Sequence, residues 1–134
     1  MWKSPIEEAH KQKTGAAGED AATMFLVEHG FKLVERNYRR PLGEIDIICK
    51  YNKILVFCEV KTRVGSDNME FFPEQNVHAR KRRKLQKICE LYLWEKRYPI
   101  QQEWRIDVIS VIIDKFTEQV KINHIENAVW QKMY

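Results

Sequence analysis

The stretch Gly43-Glu44-Ile45-Asp46-Ile47-Ile48-Cys49-Lys50-Tyr51-Asn52-Lys53-Ile54-Leu55-Val56-Phe57-Cys58-Glu59-Val60-Lys61-Thr62-Arg63 decides the fold. Two runs rich in Ile, Val and Phe flank a polar break at Asn52-Lys53. Asn tolerates the positive φ of a tight turn, so the segment reads as an antiparallel hairpin. A two-residue turn at that break sets Asp46 opposite Glu59 and Glu44 opposite Lys61. It sends Ile45, Ile47, Cys49, Val56, Cys58 and Val60 to the other face. One face is then core and the other carries chemistry.

Opposed residues on a sheet have Cβ atoms about 5 Å apart, so Asp46 and Glu59 repel unless something positive lies between them. A hard cation such as Mg²⁺ is commonly held by one or two carboxylates, with water and phosphate completing its shell. Lys61, two residues beyond Glu59 on the same face, would then stabilise a phosphate oxygen or orient the attacking water. Alternating charges on a solvent face are also ordinary, and Glu44 with Lys61 reads equally as a plain cross-strand ion pair.

The whole stretch resembles the metal-binding core of the PD-(D/E)-x-K nuclease superfamily, with Asp46 on one strand and Glu59-Val60-Lys61 on the next. More closely, Gly43-Glu44-Ile45-Asp46-Ile47-Ile48 followed by Glu59-Val60-Lys61-Thr62-Arg63 looks like the YraN-type family (UPF0102) of small bacterial endonuclease-like proteins, related to archaeal Holliday-junction resolvases. The resemblance runs from about Gly15 to Asn127. It implies a restriction-endonuclease-like fold, Mg²⁺ or Mn²⁺ as cofactor, and hydrolysis of phosphodiester bonds in DNA, including branched DNA. It implies no established substrate. Ile45 stands where the superfamily name has Pro, as is usual in the resolvase-like branch.

Outward from the hairpin, 134 residues leave room for one core. We expect an arm over residues 1–12, loose or briefly helical, and a single nuclease-like domain over 13–134. With 44% apolar and 31% charged residues the composition is that of a folded soluble protein. A net charge of +4 favours an anionic partner without proving one. No run approaches the roughly 20 apolar residues of a membrane span, and the first residues lack a signal-peptide core, so a cytoplasmic location is expected. Cys49, Cys58 and Cys89 show no metal-ligand spacing and argue against zinc and disulfides.

Before the hairpin, Thr14 is a candidate N-cap for a helix over 15–29 closed by Gly30, with Ala22, Phe25, Leu26 and His29 on its inner face. Glu19 leans toward that face. Its residue type suits the helix dipole, while the resemblance implies a further metal-site acid there. A strand over 31–36 leads to Arg36, Arg39 and Arg40, a cluster that reads either as a solvated edge or as phosphate contact, with Arg63 beyond the hairpin adding to it.

After Arg63, a turn-rich loop over 64–73 precedes the longest helix, Glu74 to Arg97, whose inner stripe is Val77, Lys81, Leu85, Ile88 and Tyr92. A Lys in that stripe must snorkel out or meet an acidic group or a phosphate. Lys81 falls where the family has a basic residue, and Gln75 is a candidate for orienting water or substrate. In His78-Ala79-Arg80-Lys81-Arg82-Arg83-Lys84 six of seven side chains are basic. Arg80, Arg83, Lys84 and Lys87 share an outer surface that could track a phosphate backbone.

Residues 104–114 read as an interior strand, with Asp107 a satisfied polar residue, and 120–125 as an edge strand before a turn that packs Trp130. The order αβββαββ makes this an α/β protein with a mixed sheet flanked by helices. The leading expectation is a Mg²⁺-dependent endonuclease with Asp46, Glu59 and Glu19 on the ion and Glu44 behind them. The rivals are a non-catalytic nucleic-acid-binding module and a protein whose basic helix meets an acidic partner. A pair of subunits is implied by analogy with resolvases.

Overall fold

The computed structural model describes the backbone of residues 5–65 and 79–128 and the side chains of 14–65 and 81–128. Five strands, β1 (Lys32–Arg40), β2 (Gly43–Tyr51), β3 (Ile54–Gly65), β4 (Trp104–Asp114) and β5 (Val120–Ile125), lie side by side in chain order. All neighbours pair antiparallel except β3 and β4, which run parallel. A parallel pair needs a long crossover. It contains α2 (Ala79–Glu95), which covers one face, while α1 (Pro5–Glu28) covers the other. The order and the two-sided sheet are those of the expected restriction-endonuclease-like fold.

The hairpin turn has Asn52 at φ 55, and the pairs run from Tyr51 with Ile54 to Ile47 with Cys58, in the expected register. That ladder ends one step before Asp46 and Glu59.

The division into one core face and one chemical face needs correction, because both faces are core. Ile48, Leu55, Phe57 and Ile106 pack with Ile88, Cys89 and Tyr92 of α2. Ile47, Cys49, Val56, Cys58, Ile109 and Val111 pack with Ala22 and Leu26 of α1. The parallel β3–β4 pair is the cause, since its crossover helix must lie on the second face.

A second correction concerns Ile45, which joins the α2 side and not the side of Ile47. In β1, Arg36 pairs with Ile47 and reaches Asp20 of α1 at 2.9 Å, whereas Tyr38 pairs with Ile45 and its hydroxyl donates to Glu95 of α2. The two strands therefore exchange faces between these pairs, at Asn37 and Asp46. Asn37 adopts φ 55, a left-handed conformation that a non-glycine residue rarely takes and that interrupts the alternation of a strand.

Helix ends follow their capping residues. Gly30, at φ 89, donates to Val27 O, and Phe31 N–H donates to Leu26 O, closing α1. α1 begins at Pro5, so Thr14 lies inside the helix and does not cap it. Pro suits a first helical position because its φ is already helical and its missing N–H has no partner there. His29 is exposed, stacked on Phe25 with ring centroids 4.0 Å apart, and is not part of the core. α2 ends at Glu95, with Arg97 left-handed and Tyr98 N–H donating to Leu93 O. The loop after Gly65, the helix start at Glu74, and Gln75, Val77 and Trp130 lie outside the described residues.

Candidate functional site

Asp46 stands where the sheet changes faces. Its Oδ2 accepts the Val60 N–H at 2.7 Å. Continued register would set Val60 opposite Ile45, so the carboxylate takes a donor that the ladder would otherwise use. The strands part here, and Asp46 lines two hollows. On the α1 side it is joined by Glu19, Asn37, Arg39 and Glu44. On the α2 side it is joined by Glu44, Glu59, Leu85 and Ile106.

Glu19 reaches this place because α1 lies unusually close to β3. A Cβ on Gly18 would come within 1.9 Å of Thr62 Oγ1, so only the bare α-carbon permits the crossing. The next residue, Glu19, is brought to the sheet with Arg36 Nη2 at 4.0 Å. Burial holds the Glu19 carboxyl above its ordinary value, against the pull of Arg36 and Arg39. Burial also pushes Asp46 up to about 6; the Val60 N–H opposes this, and the negative charges of Glu19, Glu44 and Glu59 add to it.

Glu59, on the α2 face, forms an ion pair with Lys81 at 2.6 Å, so of the outcomes open to a Lys in that stripe, snorkelling, an acidic group or a phosphate, the acidic group is the one seen. The other oxygen of Glu59, Oε2, is buried without a hydrogen-bond partner among the described residues. Strand alternation from Glu59 puts Lys61 on that same face, half-buried and beside Ser110 in the parallel register. Glu44 is not opposite Lys61. The β2–β3 ladder has ended, and Glu44 pairs instead with Arg39 at 3.1 Å, its neighbour in β1.

The donors Asp46, Glu59 and Glu19 are hard carboxylate oxygens, the type that suits Mg²⁺ or Mn²⁺. The unmatched Glu59 Oε2 and the mutual repulsion that burdens Asp46 both fit a cation. Among the described residues no three acidic, His or Cys side chains are gathered closely enough to form a metal-holding group. The reason is geometric: Glu19 and Glu59 approach Asp46 from opposite faces of the sheet. Two carboxylates from protein, with water and phosphate supplying the remainder, is the pattern that such an ion accepts.

The expected phosphate-contacting residues fall into separate groups. Arg36 is engaged by Asp20 and Glu19, and Arg39 by Glu44. Arg40 makes a two-pronged contact with Glu95, both distances 3.0 Å, while its guanidinium lies 4.2 Å from the Tyr38 ring centroid. Arg63 is half-buried on β3; Arg83 and Lys84 are exposed on α2. Arg80 belongs to α2, with its side chain outside the described residues, as Gln75 is altogether.

Asp107 is a satisfied polar residue, as expected, and its partners form a network. This residue is fully buried, and its carboxylate accepts from Arg105 Nε at 3.0 Å and the Asn127 N–H at 2.8 Å, with His124 Nε2 at 2.7 Å. Arg105 lies two residues away on the same strand, but no local spacing links Asp107 to His124 and Asn127, 17 and 20 residues on. The network is satisfied from within and ties β4 to β5 and the turn after it.

The sheet, its two covering helices and the carboxylates at its opened hairpin define an α/β protein of restriction-endonuclease-like architecture. Residues 18–111 match the model of the family described as Uncharacterised protein family UPF0102. The chain belongs to that family. It is 38% identical over 120 residues to a UPF0102 protein of Dictyoglomus thermophilum, covering 89% of this chain and 98% of that one. It is 40% identical over 120 residues to one from Alkaliphilus oremlandii, covering 87% and 97%. A relative in Caldicellulosiruptor bescii shares 36% over 121 residues, with 87% and 97% covered.

Proposed function

We propose that this chain is a Mg²⁺-dependent endonuclease that hydrolyses phosphodiester bonds in DNA, with branched, junction-like DNA as its preferred class. The observation that carries the reading is the meeting of Asp46 and Glu59 on one hollow, with a buried oxygen of Glu59 that has no hydrogen-bond partner among the described residues. Asp46 and Glu59 would hold the ion, and Glu19, which meets Asp46 from the opposite face, would add its negative charge beside Asp46. When bound, the ion would lower the pKa of a water and neutralise charge on the scissile phosphate. Lys61, on the face of Glu59, would stabilise the negative charge that develops on the phosphate oxygens. Arg83 and Lys84 on the exposed side of α2 would hold the backbone.

A second reading is a nucleic-acid-binding module without catalysis. The observation that favours it is the Lys81–Glu59 pair, which neutralises one of the two carboxylates internally. Incubating the protein in Mn²⁺ with labelled junctions, flaps, single strands and duplexes, beside Asp46→Ala and Lys61→Ala, separates the two. Cutting that is lost in both variants supports the endonuclease. Salt-sensitive binding without cutting supports the module, and cutting that survives both substitutions overturns the assignment of this site.

A further inference from the structure

We infer that Lys81 is a built-in counterion that a divalent cation must displace from Glu59 before the site is loaded. The inference rests on the metal-site reading above and adds a competitor to it. Lys81 Nζ lies 2.6 Å from Glu59 Oε1, a short charge-assisted contact that occupies one of the two oxygens on this carboxylate.

The two partners are placed unequally. The Glu59 side chain is 17% exposed and that of Lys81 is 45% exposed. Leaving Glu59 unpaired in its hollow is costly, because a half-buried carboxylate without a partner has lost much of its hydration. Releasing Lys81 is cheap, because its side chain is already 45% exposed and its four-carbon stem is flexible.

The helix need not move for this exchange. One turn after Lys81, Leu85 lines the same hollow, and Ile88, Cys89 and Tyr92 anchor α2 in the core. The Lys81 head group can therefore swing while its backbone stays fixed. A doubly charged ion has the stronger claim on the two carboxylates, and it also supplies a partner for Glu59 Oε2. The displaced ammonium then stands at the rim of the hollow, where an incoming phosphate is its natural acceptor. Metal loading and phosphate capture are thus linked through one side chain, each favouring the other by the same factor.

Mn²⁺ titration by calorimetry, without nucleic acid, tests this on wild type, Lys81→Met, Lys81→Gln, Lys81→Arg and Asp46→Ala, each checked by thermal melting. Lys81→Met and Lys81→Gln are expected to bind Mn²⁺ about two- to fivefold more tightly than wild type, the factor that a partly exposed ion pair withholds. Lys81→Arg keeps the charge and stays close to wild type. Should both neutral variants bind Mn²⁺ no better than wild type, while Asp46→Ala abolishes binding, the counterion role is overturned and the metal site stands. Should neither wild type nor the neutral variants bind Mn²⁺ in an Asp46-dependent way, both readings fall.

Discussion

Asp46 Oδ2 takes the Val60 N–H at 2.7 Å, so a side chain occupies a backbone donor just where β2 and β3 part. This contact stabilises the charged carboxylate, yet burial and the neighbouring acids outweigh it and leave Asp46 at about 6. The folded protein therefore holds a proton on Asp46 more tightly than the unfolded chain does. Its contribution to stability is fully present below the ordinary value of 3.8 and is lost as pH rises through about 6. Asp46→Asn keeps an acceptor for Val60 and removes the charge. It should stabilise the fold by about 1–2 kcal/mol at pH 8, after allowance for solvent screening, and by nothing measurable at pH 3.5. Urea unfolding at the two pH values is the check; equal gains at both would refute it.

Gly18 and Thr62 set the approach of α1. Replacing Gly18 with Ala gains helix propensity of about 1 kcal/mol but drives a methyl into Thr62, with the nearest atom at 1.9 Å. The net effect is a loss of about 1–3 kcal/mol, as for other overpacked contacts. Thr62→Ala in the same chain should recover part of it. A Gly18→Ala protein as stable as wild type would show that the helix can lift away freely.

Asp107 is fully buried between Arg105, His124 and the Asn127 backbone. Asp107→Ala leaves the Asn127 N–H without its acceptor and the Arg105 guanidinium, 17% exposed, with only the more distant Glu126 carboxylate at 3.8 Å. The expected cost is about 3–5 kcal/mol, read by denaturant unfolding. Among the variants considered it should be the most damaging to the fold. A loss below about 1 kcal/mol would mean that water replaces the carboxylate.

The arginines should divide by their existing partners. Arg83→Ala and Lys84→Ala remove exposed charges from α2 and should each lower the slope of log affinity against log salt by about 1 for duplex DNA. Arg40→Ala breaks the two-pronged contact with Glu95 and should lower the melting temperature with little change in that slope. Fluorescence anisotropy across a salt series distinguishes the two patterns. An equal effect of all three on the slope would show that Glu95 yields Arg40 to phosphate.

Much of this arrangement was legible in the residues. Asn52 between two β-branched runs set the turn, and the register followed from a two-residue loop. Lys81, a cation in an apolar stripe, called for water, an acidic group or a phosphate, and Glu59 is the partner it meets. The exchange of faces at Asn37 and Asp46 was not legible, because Asn37 sits in a polar stretch that reads as a connection, and nothing local requires its left-handed backbone. The second core face could have been inferred. Ile47-Ile48-Cys49 and Leu55-Val56-Phe57-Cys58 are continuous, not alternating, apolar runs, and such runs mark strands covered on both sides. In the Asp107 network only the Arg105 contact is local; the pairing with His124 and Asn127 left no trace in local spacing.

The agreement between strand order in the chain and strand order in the sheet has a consequence for assembly. β1, β2 and β3 are contiguous and meet through turns of two residues, so they can zip up early with small loop-closure cost. α2 and β4 must arrive afterwards across the crossover. Newly made hairpins would thus carry Glu59 into place before its lysine partner exists, and pulse-labelled amide exchange during refolding should find β2 protected ahead of β4.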